Sequence, residues 1–222
     1  MNKYEIVRKI EEFAPLNTQE KWDCSGWAVD KPNNDEVHKI LFALTITDDI
    51  FRQAIDKDCD MIISHHPLFY VPLKYNDMNI YCSHTNLDRA EGGTTDTLIK
   101  KLGFTKTATD DFVSIVELNE AIPVEELKEK LLKISPKLRY VNNLNTKKIK
   151  TIGFCAGSGS EFIGETDAFV TGDLKFHTAL ESKKVVFDIG HFESEIFAPE
   201  ILKRITEVGE KGVIANEKSP FI

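Results

Sequence analysis

The chain reads as an α/β protein. Short apolar runs recur along its whole length, and segments with helical spacing fall between them. Neither a fixed-period repeat nor a low-complexity linker interrupts this alternation. At 222 residues, with 41% hydrophobic and 29% charged side chains, the chain is long enough for one large domain or two small ones and has an ordinary globular composition.

Ile6, Ile10 and Phe13 space out a short amphipathic first helix. The stretch from Glu20 to Trp27 reads as a loop carrying two tryptophans. Lys39 to Leu44 is a buried strand, Asp48 to Asp56 a helix, and Asp60 to Ser64 a second strand that runs into His65-His66-Pro67. Asn79 to Ser83 is a third strand, followed by His84-Thr85-Asn86-Leu87-Asp88. Thr94 or Thr95 caps a helix that stops at Gly103. The pattern then resumes. Strands are expected over Phe112–Leu118, Leu138–Val141, Lys150–Cys155, Asp167–Thr171, Lys184–Ile189 and Gly212–Ala215. Helices are expected over Pro123–Leu132, with proline in the first turn, over Phe176–Ser182, and over about Ser194–Val208. A change of lobe falls near Asp110-Asp111.

The formal net charge of -8 argues against a protein built to wrap nucleic acid through phosphate contacts. The run from Lys147 to Lys150 reads as a solvated approach to a strand. The first twelve residues are polar and charged, unlike a signal peptide, and no segment reaches the length of a membrane span. Cys24, Cys59, Cys82 and Cys155 lie far apart, which fits free thiols in a reducing compartment and a cytoplasmic location.

Three stretches place ligand-type side chains just after an expected strand, where α/β sheets carry their sites. In the first, Pro67 ends the strand and leaves His65 and His66 on a turn where both rings can face one pocket. The pair fits divalent-metal ligands, and it also fits residues that close a strand end by hydrogen bonds. In the second, His84 and Asp88 fit either a site or a polar turn in which Asp88 caps the backbone. In the third, His191 and Glu195 stand four apart, so a helical turn sets them on one face, where they can share an ion. An acidic helix start explains that stretch as well. Of six histidines, five (His65, His66, His84, His177 and His191) follow such strands or lie near their ends, and only His38 stands apart. Ala156-Gly157-Ser158-Gly159 suits an anion cradle or a tight turn, and Asp173 suits a helix cap.

Together these stretches resemble the Nif-three-like dinuclear-metal family, whose bacterial members are often named GTP cyclohydrolase I type 2 homologues. The resemblance is carried by Trp22-Asp23-Cys24-Ser25-Gly26, Ile63-Ser64-His65-His66-Pro67-Leu68 and His84-Thr85-Asn86-Leu87-Asp88. It continues through Gly92-Gly93, Ala156–Gly159, Val170–His177, and Asp188–His191 with Ser194-Glu195, in family order. It implies two interlocked α/β lobes with mixed β-sheets: residues 1–111, with 186–222 packing back on them, and residues 112–185. It implies two divalent ions per chain, each zinc, manganese, iron or nickel, held by His65, His66, Asp88, His191 and Glu195. It further implies a homo-oligomer, a ring-shaped hexamer, with a nucleotide as ligand and neither nucleic acid nor membrane as partner. The chain departs from the family pattern at Cys24, where asparagine is usual, at Thr45, where aspartate is frequent, and at Thr94-Thr95-Asp96, where Val-Asn-Asp is frequent.

The expected activity is two-metal hydrolysis of a nucleotide, with His84 and His177 as proton carriers. A metal-binding regulatory or chaperone-like ring without turnover is the other reading. A metallophosphoesterase lacks support, since no Gly-Asn-His-Asp stretch is present.

Overall fold

The structure, a computed structural model, describes residues 1–221. In chain order its strands are β1 (Gly26–Val29), β2 (Ile40–Ala43), β3 (Met61–Ser64), β4 (Asn79–Cys82), β5 (Ala108–Asp110), β6 (Val113–Pro123), β7 (Arg139–Val141), β8 (Lys148–Cys155), β9 (Ala168–Thr171), β10 (Val185–Asp188) and β11 (Gly212–Ile214). Its helices are α1 (Lys3–Phe13), α2 (Asp48–Asp56), α3 (Thr85–Arg89), α4 (Thr94–Lys101), α5 (Val124–Leu132), α6 (Phe176–Glu181), α7 (His191–Glu195) and α8 (Ala198–Thr206).

Two mixed sheets organise these elements. The first runs β1-β4-β3-β2-β11, with β1 antiparallel to β4 and the other pairings parallel. The second runs β5-β6-β8-β9-β10-β7, with β8, β9 and β10 parallel and the flanking pairs antiparallel. The parallel strands β2, β3 and β4 are buried at every position, as strands covered on both faces must be. Leu41, Ile62 and Ile80 pack with Ile50, Phe51 and Ala54 of α2, while α8 lies on β2, β3 and β11 and beside α1. Helix α2 begins where Thr47 accepts a hydrogen bond from the Ile50 amide, with Asp48 and Asp49 in its first turn.

The chain divides into two compact units: Met1–Gly93 with the chain from Phe197 onward, and Thr94–Ile196. These boundaries differ from the expected 111–112 and 185–186. Helix α4 packs on β6, β8 and α7, so it goes with the second sheet. Strand β10 is an inner strand of that sheet, between β9 and β7.

Two local expectations differ as well. The tryptophan loop contains β1, an edge strand too short for an alternation signal. The single helix expected over Ser194–Val208 is two, α7 and α8. Pro199 has no amide to donate to the carbonyl at position 195, so one helix cannot run through.

At Gly153 of β8 a side chain would have no room: its Cβ would stand 2.7 Å from Phe169 Cδ2 and 3.1 Å from Thr166 Oγ1. Phe169 is wholly buried and cannot yield. Gly153→Ala is therefore expected to lower stability by about 1–3 kcal/mol, the usual range for overpacking. Urea unfolding measures this, and an unchanged midpoint would contradict the packing.

Candidate metal centre

In each sheet the ligand-type side chains follow the carboxyl ends of parallel strands, where the backbone has left the ladder and side chains can turn inward.

In the first unit, β3 ends at Ser64 and the chain turns through His65 and His66. Their amides donate to Ala43 O at 3.1 Å and Leu44 O at 2.8 Å, so the turn is pinned to the end of β2. The two rings lie 5.1 Å apart and both meet His84, which follows β4, at 5.2 and 5.6 Å. One ring nitrogen from each of the three lies within 4.8 Å of the others, a group able to hold a metal ion. His65 is wholly buried, and its Nδ1 donates to the Ser83 carbonyl at 2.9 Å. A carbonyl only accepts, so Nδ1 carries a proton, and in the neutral ring the lone pair is on Nε2. Asp88 comes one turn into α3, and its Oδ1 lies 3.5 Å from His65 Nε2.

Two anchors hold the other imidazoles. His66 Nδ1 meets Thr45 Oγ1 at 2.6 Å, and Thr45 is fixed in turn because Glu217 accepts from the amides of Leu44 and Thr45 at 2.5 and 2.9 Å. His84 Nδ1 donates to Asp23 Oδ1 at 3.0 Å. The Asp23 side chain is buried, which by itself raises its pKa. Hydrogen bonds from His84 and Thr85 outweigh that burial and hold the carboxyl well below the usual carboxylate range. Ser25 Oγ donates to the same carboxylate at 3.0 Å. Asp23 is therefore a carboxylate that fixes the ring, with Nε2 as the nitrogen left for another partner.

In the second unit, β10 is followed by Gly190 and then α7. His191 and Glu195 share one face of that turn, with Nε2 2.9 Å from Glu195 Oε2. Asp173, just after β9, accepts from His191 Nδ1 at 2.6 Å. Hydrogen bonds to Asp173 and Glu195 push the imidazole pKa up to about 10, against a desolvation that would lower it. Glu195 is almost wholly buried. Gly157, with φ +65°, makes room for it: a Cβ there would stand 2.1 Å from Glu195 Oε1.

Both donor sets fit divalent ions. Imidazole with carboxylate suits zinc and its neighbours, and donors bonded at about 2 Å to one ion stand roughly 2.8–3.3 Å apart at right-angled or tetrahedral geometry. The 3.5 Å between His65 and Asp88 and the 2.9 Å between His191 and Glu195 are near that spacing.

The glycine-rich loop is a structural turn. Gly157 N donates to Ser194 Oγ at 2.9 Å and Gly159 N to Thr171 Oγ1 at 2.9 Å, so neither amide is turned to an anion. No helix follows β8; the chain goes on to β9 through turns. His177 is on α6, exposed beside the Phe176 ring, and belongs to none of the ligand groups among the described residues. Helix α6 is six residues long and buries none of them, so nothing turns that ring inward. The residues least legible beforehand are the anchors Asp23, Thr45 and Asp173; each lies in a loop, and the last two directly follow strands.

The family model described as Duf34/NIF3 (NGG1p interacting factor 3) matches residues 1–218. A Clostridium perfringens protein named GTP cyclohydrolase 1 type 2 homolog is 33% identical over 98% of this chain and 97% of its own length. A Campylobacter jejuni protein of the same name is 31% identical over 98% and 97%. The crystal structure of a Bacillus cereus protein related to NIF3 superposes with a TM-score of 0.85 at 18% identity, over 100% of this chain and 99% of that one, a likeness of fold. No helix among the described residues is long and apolar enough to cross a membrane.

In metal-free protein the proton on His191 offsets one of the two negative charges of the carboxylates beside it. Its folded pKa of about 10 lies above the ordinary 6.5. The stabilisation is therefore complete below pH 6.5 and lost as the pH rises toward about 10. Thermal melts of chelator-treated wild type and His191→Gln are expected to differ most near pH 6.5 and to converge toward pH 10. A constant difference across that range would contradict the assignment.

Proposed function

The chain belongs to the Duf34/NIF3 family, and on that premise we propose that it is a metal-dependent hydrolase that holds two divalent ions and acts on a nucleotide. GTP is the nucleotide that the shared name of its Clostridium and Campylobacter relatives contains. The observation that supports the reading is the pair of donor sets, each joining an anchored imidazole to a carboxylate at metal-ligand spacing. In this reading His65, His66 and Asp88 of the first unit and His191 and Glu195 of the second would be the metal ligands. When bound, two such ions polarise a substrate oxygen and lower the pKa of water.

The chain's own residues orient and move protons. Asp23 fixes the His84 ring so that Nε2 can take a proton, which makes His84 the better placed of the two expected proton carriers; His177 lies exposed. The reading includes a cytoplasmic, closed homo-oligomer, most simply a hexamer. Phe176 and Leu180, 74% and 65% exposed on α6, with Leu144, 65% exposed, are apolar surface that a neighbouring copy would cover. Trp27 needs no such cover, since it packs edge-on between Tyr4 and Tyr81.

Purified protein is expected to carry about two divalent ions per chain, as a bridged centre requires. Asp88→Ala and Glu195→Ala are each expected to lose at least one ion, and His38→Ala, on the exposed His38–Asp60 pair, none. Elemental analysis decides, and full metal content in both carboxylate variants would refute the ligand set. Loaded wild type is expected to turn over GTP and Asp88→Ala to lose that activity. Equal rates would mean a contaminant, and no product from any common nucleotide would leave a metal-binding ring without turnover. Sedimentation of a strictly monomeric particle at micromolar concentration would refute the oligomer.

A further inference from the structure

Trp22 and Phe69 are exposed large side chains of the first unit. The indole is 61% exposed and the Phe69 ring 68% exposed, although aromatic surface of this size is normally covered. The two rings stack on each other, with centroids 6.5 Å apart and planes 29° from parallel, and together make one exposed aromatic wall. The wall borders the imidazole group. Trp22 meets His84 edge-on at 5.9 Å and 73°, and His84 in turn meets His65 and His66.

The backbone that presents Trp22 is held by several hydrogen bonds. Asp23, next to Trp22, accepts from Cys24 N at 2.7 Å, Ser25 Oγ at 3.0 Å, His84 Nδ1 at 3.0 Å, Thr85 N at 3.0 Å and Thr85 Oγ1 at 2.5 Å. Arg89 donates to Glu20 Oε1 at 2.6 Å and to Thr18 O at 2.7 Å, which ties down the same loop. An exposed aromatic on a pinned loop loses little freedom when a ligand lands on it. We propose that Trp22 and Phe69 are a stacking platform for the base of a purine nucleotide, placed so that a base lying on the indole brings its edge to the His65, His66 and His84 group.

Stacking on such a surface reads the π-face of the ligand and ignores its phosphate. A purine offers a two-ring area that matches the two-ring indole on which it would lie. The assignment rests on the nucleotide reading above, but it concerns binding and not turnover, so the two can fail separately.

The test is calorimetric titration of the full-length, metal-loaded protein with guanosine, GMP and ribose 5-phosphate, beside Trp22→Leu, Phe69→Leu and the conservative Trp22→Phe. Guanosine and GMP are expected to bind wild type and ribose 5-phosphate to bind far more weakly. The two leucine variants are expected to lose at least about tenfold in guanosine affinity, and Trp22→Phe to keep most of it, with metal content and melting temperature unchanged. Guanosine affinity equal in wild type and Trp22→Leu, or no guanosine binding at all, overturns the proposal. So do leucine variants that change the sedimenting species while guanosine affinity stays the same, because the wall would then be a contact between copies. Base binding that tracks Trp22 in a protein with no turnover upholds the platform and refutes the hydrolase.

Discussion

Four of the ligand-type imidazoles, those that follow the inner strands, are held at Nδ1. His65 donates to a backbone carbonyl, His66 meets the Thr45 hydroxyl, and His84 and His191 are bound to the carboxylates of Asp23 and Asp173. The anchor sets the direction of each ring. In His191, carboxylates at both ring nitrogens make the imidazole a cation until something else supplies the positive charge. The chemistry proposed for the chain depends on these outer partners as much as on the donors.

The anchors are available because of where the strands stop. Parallel strands that end in register deliver several loops to one edge, and each loop contributes a residue as its backbone leaves the ladder. In the first sheet those loops bring Thr45, His65, His66 and His84; in the second they bring Gly157, Asp173 and His191. Close approach then becomes the limiting condition. Gly157 admits the Glu195 carboxylate where any Cβ would collide with it, and Ser194 ties that loop to α7 through the Gly157 amide. The glycines that read as an anion cradle in the sequence act as a spacing device for a neighbouring helix.

The donors were legible in the sequence and their partners mostly were not. His65 and His66 beside Pro67, and His191 four residues before Glu195, carry their geometry in local spacing, and α2 begins and ends at Asp48 and Asp56, as its pattern indicates. Asp23 and His84 are 61 positions apart, and Thr45 and His66 are 21 apart. Contacts of that range follow from sheet order, which local periodicity does not encode. The same limit explains the lobe boundary. Nothing near Gly93 marks a break in composition, and α4 is assigned by what it packs against. The split of α7 from α8 was readable in principle, since Pro199 forbids the continuous helix, but amphipathic spacing on both sides of it hid the stop.

The first unit is made of two stretches of chain separated by the whole of the second. Synthesis from the amino terminus therefore completes the second unit while the first is still unfinished. Until residues 212–214 leave the ribosome, the first sheet lacks β11, and β2 shows one edge of unpaired amides and carbonyls. Glu217, which clasps the turn bearing Thr45, arrives later still. His66 thus gains its final support only after the whole second unit has been made, and a nascent chain truncated before position 212 holds the histidine turn without its clasp.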